Sequence, residues 1–169
     1  MIILETTRLI LKTIEKEDSQ TLHDLIFSNE DTMKYTFGNK AFTLEETKKF
    51  IYKNFCKNNA IVGLAPLFEK KSGLLIGMAG VLKNETLGKE HYEFGFIIAE
   101  EYRKNGYAME IAQSEITFIK KRLKQQYAYA LINPQNEVSK HLIEKLGLTH
   151  EKDIELKDRG QRAVYKKRV

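Results

Sequence analysis

The residues with the most chemistry in them lie between Tyr92 and Lys121. Arg103-Lys104-Asn105-Gly106-Tyr107-Ala108 separates two segments of different period. Before it, Tyr92, Phe94, Phe96 and Ile98 alternate with Glu93, Gly95 and Ile97, the period of a strand. After it, apolar residues fall at Ala108, Ala112, Ile116, Ile119 and Leu123, the spacing of one helix face. A strand, a glycine turn and a helix start make an anion site, because the first helical turn has unpaired N–H groups and a partial positive charge. Gly106 lets the backbone come close to a bulky diphosphate and take a positive φ, and Ala108 keeps the next close position small. Arg103 and Lys104 add full charges, and arginine can make a paired contact with phosphate oxygens.

Arg103-x-x-Gly106-x-Ala108 resembles the [RQ]-x-x-G-x-[GA] acyl-CoA motif of the GNAT N-acetyltransferases. Three further segments are similar to the RimJ/RimL-like branch of that family. The opening Glu5-Thr6-Thr7-Arg8-Leu9-Ile10-Leu11 looks like its E-T-x-R-L-x-L start. Thr43-Leu44-Glu45-Glu46 resembles the start of its second helix. Asn136-x-x-Ser139, followed by Glu144-Lys145-Leu146-Gly147-Leu148, looks like its N-x-x-S … E-K-x-G-F segment. These segments span nearly the whole chain in the family's order. The resemblance implies acetyl-CoA as co-substrate, with its diphosphate on Arg103, Lys104, Asn105, Gly106, Tyr107 and Ala108. It implies an amine acceptor, either a protein N-terminus or a small molecule, that attacks directly. It also leaves room for a homodimer.

Acetyl transfer to an amine needs the neutral amine. At pH 7 about one α-amino group in ten is neutral, against about one lysine in 2,500. A base is therefore useful, the carbonyl oxygen needs a hydrogen-bond donor, and the departing thiolate needs a proton. No metal is required, and His23, His91, His141 and His150 have no metal-ligand spacing. Glu93 on the alternating segment is the candidate base, with His91 as the alternative. The structural reading of Glu93 is a carboxylate paired with a basic neighbour or solvated at a sheet edge. Asn136 and Ser139, three apart, share a helix face. The resemblance puts Asn136 beside the CoA arm and Ser139 near the sulfur. Locally, Asn133 could cap that helix with Pro134 at its first position, or Asn136 could itself be the cap. Many members of the family carry a tyrosine seven residues after that asparagine as the acid for the thiolate; here the position is Ile143. The resemblance further implies that Ile97 and Ile98 offer backbone groups to the pantetheine and the acetyl carbonyl, and that Tyr35 and Phe37 line the acceptor side.

The elements that must position these groups read as follows. Arg8–Ile14 is a strand and Lys16–Ser28 a helix with Asp18 as its cap. Thr43 and Glu46 make a capping box for a helix reaching about Lys57. Ile61–Glu69 and Leu74–Leu82 are strands joined by a Lys70–Gly73 turn, and Gly77 and Gly80 weaken the second of them. Gln126–Ile132 is a short strand. The helix carrying Val138, Leu142 and Leu146 ends at Gly147. Leu148–Leu156 and Ala163–Val169 close as a hairpin. This order predicts a single α/β domain over residues 1–169. It would be a mixed, mostly antiparallel sheet of about seven strands with helices on both faces, as the GNAT resemblance also implies.

Composition bounds the alternatives. Hydrophobic residues make up 42% and charged residues 30% of the 169, ordinary for a globular domain. No run is apolar enough to span a membrane. The opening MIILETTRLILK lacks the basic and small-residue features of a secretory signal. The single cysteine, Cys56, excludes an intramolecular disulfide and fits a cytoplasmic protein; it reads as a buried small residue. A net charge of +5 admits nucleic acid as a partner. Aromatics interleave with basic residues only at Tyr102-Arg103-Lys104 and Tyr165-Lys166-Lys167, which disfavours that reading. A CoA-binding module with little turnover is the second alternative, motivated by Ile143.

Overall fold

The alternating segment before the glycine turn becomes a central strand, and the rest of the fold is laid against it. The computed structural model describes residues Met1–Val169. Its strands are β1 (Ile2–Glu5), β2 (Leu9–Lys12), β3 (Gly63–Glu69), β4 (Leu75–Asn84), β5 (His91–Ile98), β6 (Tyr127–Ile132), β7 (Thr149–Leu156) and β8 (Gly160–Arg168). Its helices are α1 (Asp18–Leu22), α2 (Glu30–Met33), α3 (Leu44–Asn54), α4 (Tyr107–Lys121) and α5 (Glu137–Lys145). The strands form one eight-stranded sheet in the order β1-β2-β3-β4-β5-β6-β8-β7. Only β5 and β6 run parallel; every other neighbouring pair is antiparallel.

The mixed, mostly antiparallel sheet matches the expectation, with one strand more than the seven expected. The extra strand is β1, a short edge strand whose apolar run has no alternation to reveal it. The single helix expected over residues 16–28 is instead α1 followed by a π-helical turn at His23–Phe27. A separate α2 then starts at Asn29, whose side chain accepts from the Thr32 N–H. Asp18, expected as a cap, is the first residue of α1, and its Oδ2 accepts from Glu15 N at 2.9 Å. The capping box of α3 forms as expected: Thr43 Oγ1 accepts from Glu46 N and Glu46 Oε2 from Thr43 N. That helix stops at Asn54, short of Lys57, because Phe55 turns extended and bridges to Leu64.

β4 is buried from Leu75 to Val81, since helices cover both faces of the sheet. On one face Ala112 and Ile119 of α4 and Ile143 of α5 pack with Val81 and Phe94. On the other, Leu22, Ile26, Phe27 and Ile51 pack with Leu64 and Met78. Gly80 is there for space: a Cβ would run into the backbone of Gly63 and Leu64, so a residue that weakens strand propensity is what lets β3 and β4 close.

One feature of the sheet makes a site. β5 and β6 pair only at Glu93 and Tyr129 and separate beyond that point. Strands that part in mid-sheet leave unpaired backbone and a gap. Glu93, Gly95 and Ile97 share a face with Leu82, Gly80 and Met78, their partners on β4, while Phe94 and Phe96 face α4.

Candidate active site

The gap between β5 and β6 opens into a cavity of about 140 Å³ that reaches through the sheet. Glu93, Met78 and Leu82 border it from the α1–α3 face, and Phe94, Ser139 and Ile143 from the face of α4 and α5. Tyr35 and Phe37 close it from the segment between α2 and α3. The structure thus brings Glu93, Ile97, Asn136, Ser139, Tyr35 and Phe37 around one space, although they come from three separate parts of the chain.

Glu93 is only 4% exposed. Its Oε1 accepts from Arg159 Nη1 at 2.7 Å. Its Oε2 stands 3.7 Å from His91 Nε2, an electrostatic approach rather than a hydrogen bond, and neither atom has another partner. Burial works to raise the Glu93 carboxyl, but His91 and the Arg159 guanidinium outweigh it and hold the group below the usual carboxylate range. It therefore stands ionised at neutral pH, able to accept a proton but with reduced basicity. His91 is buried, with Nδ1 3.2 Å from the Lys89 carbonyl, and it acts on Glu93 from behind rather than lining the cavity.

Asn136 is the cap of α5: its Oδ1 accepts from Ser139 N at 3.2 Å. Of the two local possibilities for that helix start, this is the one the chain adopts. Asn133 instead makes a turn, its Oδ1 accepting from Gln135 N. The Ser139 hydroxyl lines the cavity and has no protein hydrogen-bond partner. Ile143 is buried in the cavity wall, so the position that the resemblance assigns to a tyrosine holds an aliphatic side chain. Ile97 and Ile98 point their carbonyls to opposite sides of β5. That of Ile97 lies against Gly77 of β4, and that of Ile98 accepts from Arg103 Nε at 3.0 Å.

The loop before α4 is built as an anion nest. The N–H groups of Lys104, Asn105, Gly106, Tyr107, Ala108 and Met109 have no protein acceptor, and Gly106, with no side chain, cannot cap the helix. Gly106 has φ +78° and Lys104 φ +63°, successive turns that aim these donors outward. Arg103 differs from the expectation of a paired phosphate contact. Its Nε and Nη2 are committed to the Ile98 carbonyl and to Thr32 Oγ1 at 2.8 Å, which leaves Nη1 and the exposed Lys104 to supply charge. The residues present therefore fit a diphosphate chiefly through backbone donors.

The opening segment holds this nest in place. Thr6 Oγ1 donates to Glu110 Oε1 at 2.6 Å and Arg8 N to the same oxygen at 2.9 Å. Arg8 Nε donates to Glu110 Oε2 at 2.6 Å, and Arg8 Nη1 to the Asn105 carbonyl at 2.8 Å. Burial works to raise the Glu110 carboxyl, but its bonds with Thr6 and Arg8 prevail and lower it. Arg8 also lies 4.7 Å over the Tyr107 ring.

A profile of the acetyltransferase (GNAT) domain matches residues 8–149. The chain belongs to the GNAT acetyltransferases. This acetyltransferase is 28% identical over 148 residues to the uncharacterized N-acetyltransferase YnaD of Bacillus subtilis, covering 88% of this chain and 83% of YnaD. It superposes on a GNAT-family acetyltransferase from Bacillus anthracis with a TM-score of 0.80 and 25% identity, over 99% of this chain and 98% of that one. A spermidine N-acetyltransferase from Vibrio cholerae, solved with CoA and spermine, has the same fold. Its TM-score is 0.75 at 20% identity, covering 96% of each chain. No helix of the acetyltransferase is long and apolar enough to cross a membrane, and no three His, Cys, Asp or Glu side chains cluster to hold a metal.

Sequence reasoning passed over Arg159 and Arg162, which also line the cavity. The expected closing hairpin resumes its second strand at Ala163. β8 instead begins at Gly160 and carries Arg162 into the sheet. The available signal was a basic residue on the approach to an apolar strand. Cys56 is buried, as expected, and burial pushes its thiol up to about 11.

Proposed function

We propose that this enzyme moves an acetyl group from acetyl-CoA to a primary amine by direct attack. The observation that carries the reading is the cavity through the parted strands, with an ionised carboxylate on one side and a free hydroxyl on the other. Acetyl-CoA, when bound, supplies an acetyl group activated as a thioester. The N–H groups of Lys104–Met109 hold its diphosphate, and Asn136 and Ser139 flank its thiol end. Of the two isoleucines expected at the acetyl group, Ile97 lines the cavity and borders it, whereas the Ile98 carbonyl is held by Arg103.

Glu93, directly or through water, takes the proton that the amine gives up as the C–N bond forms and the C–S bond breaks. The thiolate released needs a proton in turn. With Ile143 in the wall, Ser139 can donate a hydrogen bond to sulfur but is too weak an acid to protonate it, so water delivers that proton. Much of the rate then rests on orientation. Tyr35 and Phe37 shape the acceptor side. The Thr6–Arg8–Glu110 clamp supports placing the chain in the RimJ/RimL-like branch, as a single domain. The lone buried cysteine suits a cytoplasmic enzyme.

Calorimetry with acetyl-CoA, with ATP and NAD as controls, followed by thiol release across an amine panel, tests the reading. Selective micromolar binding and turnover support it. A folded protein that ignores acetyl-CoA overturns it. Binding without thiol release on any amine would instead favour a CoA-holding module, the reading that Ile143 and the Arg159–Glu93 ion pair motivate.

A further inference from the structure

The acceptor side of the cavity has an imbalance of charge. Its only charged lining residues are Glu93, Arg159 and Arg162, one carboxylate against two guanidiniums. Arg159 is paired with Glu93. Arg162 is 2% exposed, and no carboxylate pairs with it. Its Nη1 donates to the Gln161 carbonyl at 2.7 Å, and its Nη2 to the Phe37 carbonyl and Asn39 Oδ1, both at 3.3 Å. All three acceptors are neutral, and its Nε has none. Burial and the neighbouring Arg159 pull the Arg162 guanidinium down to about 10, against the smaller opposing effect of the Glu93 charge that Arg159 already pairs. A buried cation without a counter-charge is costly, and here it stands beside the space where an acceptor must enter.

We propose that the acceptor amine carries a carboxylate, as an amino acid or a close analogue does, and that the Arg159 and Arg162 guanidiniums bind it. This rests on the acetyltransferase reading above. Arginine presents a planar fork that matches a carboxylate, and such charge-assisted bonds are the stronger kind. An incoming carboxylate balances the charge of the cavity. By competing for Arg159 it also uncovers Glu93 Oε1 for the amine proton. A zwitterion therefore meets a complementary pair: its ammonium end faces Glu93 and its carboxylate the arginines. A polyamine would bring two or more further cations to a cavity already in positive excess. The volume of about 140 Å³ falls below the roughly 300–1,000 Å³ of sites that enclose a drug-sized ligand, so the space admits only a small acceptor or a chain end.

The test pairs each L-amino acid with its own amide, using the full-length protein, acetyl-CoA and a thiol-release readout, with spermidine and spermine alongside. The free acid is expected to exceed its amide in kcat/KM by about 10- to 100-fold, the size of losing a hydrogen bond to a charged group. Polyamines are expected to be poor acceptors. Calorimetry supplies a readout independent of turnover: with CoA present, N-acetyl-amino acids should bind more tightly than their amides. Arg162→Gln should reduce the acid-to-amide ratio towards one while leaving acetyl-CoA affinity unchanged. Should Arg162→Gln fail to fold, Arg159→Gln repeats the test from a partly exposed turn; it also unpairs Glu93, so its readout is the acid-to-amide ratio in product binding rather than turnover. Equal use of acids and amides, preference for polyamines, or no difference in product binding overturns the proposal and leaves the acetyltransferase reading standing. Failure to bind acetyl-CoA at all removes both.

Discussion

Two buried glutamates are treated in opposite ways, and each yields a measurement. Glu93 faces Arg159 and His91 and is kept ionised. Glu93→Gln keeps the shape but removes the base, so turnover should fall about 100-fold or more, with acetyl-CoA affinity within about twofold of the parent. Steady-state kinetics beside calorimetry separates the two, and unchanged turnover would return Glu93 to a purely ion-pairing role. Glu115 on α4 is fully buried, with Oε1 accepting from Gly80 N at 2.7 Å and Oε2 unpaired. Burial raises it well above 4.5 and the Gly80 bond offsets little of this. The folded chain therefore holds a proton that the unfolded chain releases near pH 4.5. This contribution to stability is complete below that pH and is lost as pH rises toward the folded value. Glu115→Gln cannot ionise, so its stability relative to the parent should improve by up to about 1.4 kcal/mol per pH unit above pH 4.5. Urea melts at pH 5 and pH 8 measure it, and a pH-independent difference would show that Glu115 is not held protonated. Strand period put Glu93 on a face where a carboxylate could act. Its partner Arg159 could not be read, because the two are 66 residues apart and meet only when β6 and β8 are laid beside β5.

Among the elements, those with local rules were legible. The Thr43–Glu46 box and the glycine start of α4 are written within four or five residues of chain, and both form. The split of α1 was not legible: apolar spacing through Lys16–Ser28 suits an unbroken helix, and the π-helical turn answers to packing of Ile26 and Phe27 against the sheet. The opening motif gained a mechanical meaning only in three dimensions, where Thr6 and Arg8 grip Glu110, about a hundred residues later. Glu110→Gln keeps the acceptor for Thr6 but loses the charge that holds Arg8. Acetyl-CoA affinity should drop about 5- to 10-fold with kcat little changed, because the nest is loosened and the cavity is untouched. An equal loss in kcat would put Glu110 in the chemistry instead. Gly106→Val is harsher. At φ +78° a side chain costs about 1–2 kcal/mol, more for a branched one, and its Cβ would press on Arg8 Nη2 at 3.3 Å, disturbing the clamp that holds the loop. A folded variant should bind acetyl-CoA at least about tenfold more weakly, and unchanged affinity would move the diphosphate elsewhere.

At the scale of the whole molecule, the gap between β5 and β6 interrupts the sheet that both faces share. The packing of α4 and α5 on one face and of α1–α3 on the other meets across it. A ligand that fills the gap and caps the start of α4 would touch both halves in the folded state and neither in the unfolded chain. Binding then adds to stability by mass action, about 2.7 kcal/mol at a hundredfold excess over Kd. For a chain of this length each kcal/mol moves Tm by about 2–4 °C, so saturating acetyl-CoA should raise Tm by about 5–10 °C. NAD and ATP carry diphosphates too, but no thioester arm to enter the gap. They can engage the loop before α4 alone and should shift Tm much less. A thermal melt in each ligand thus separates two contributions. Equal shifts with all three would mean that only the anion nest binds and that the gap takes no part. A large shift confined to acetyl-CoA would mean that the cofactor bridges the nest and the gap, joining both faces of the sheet.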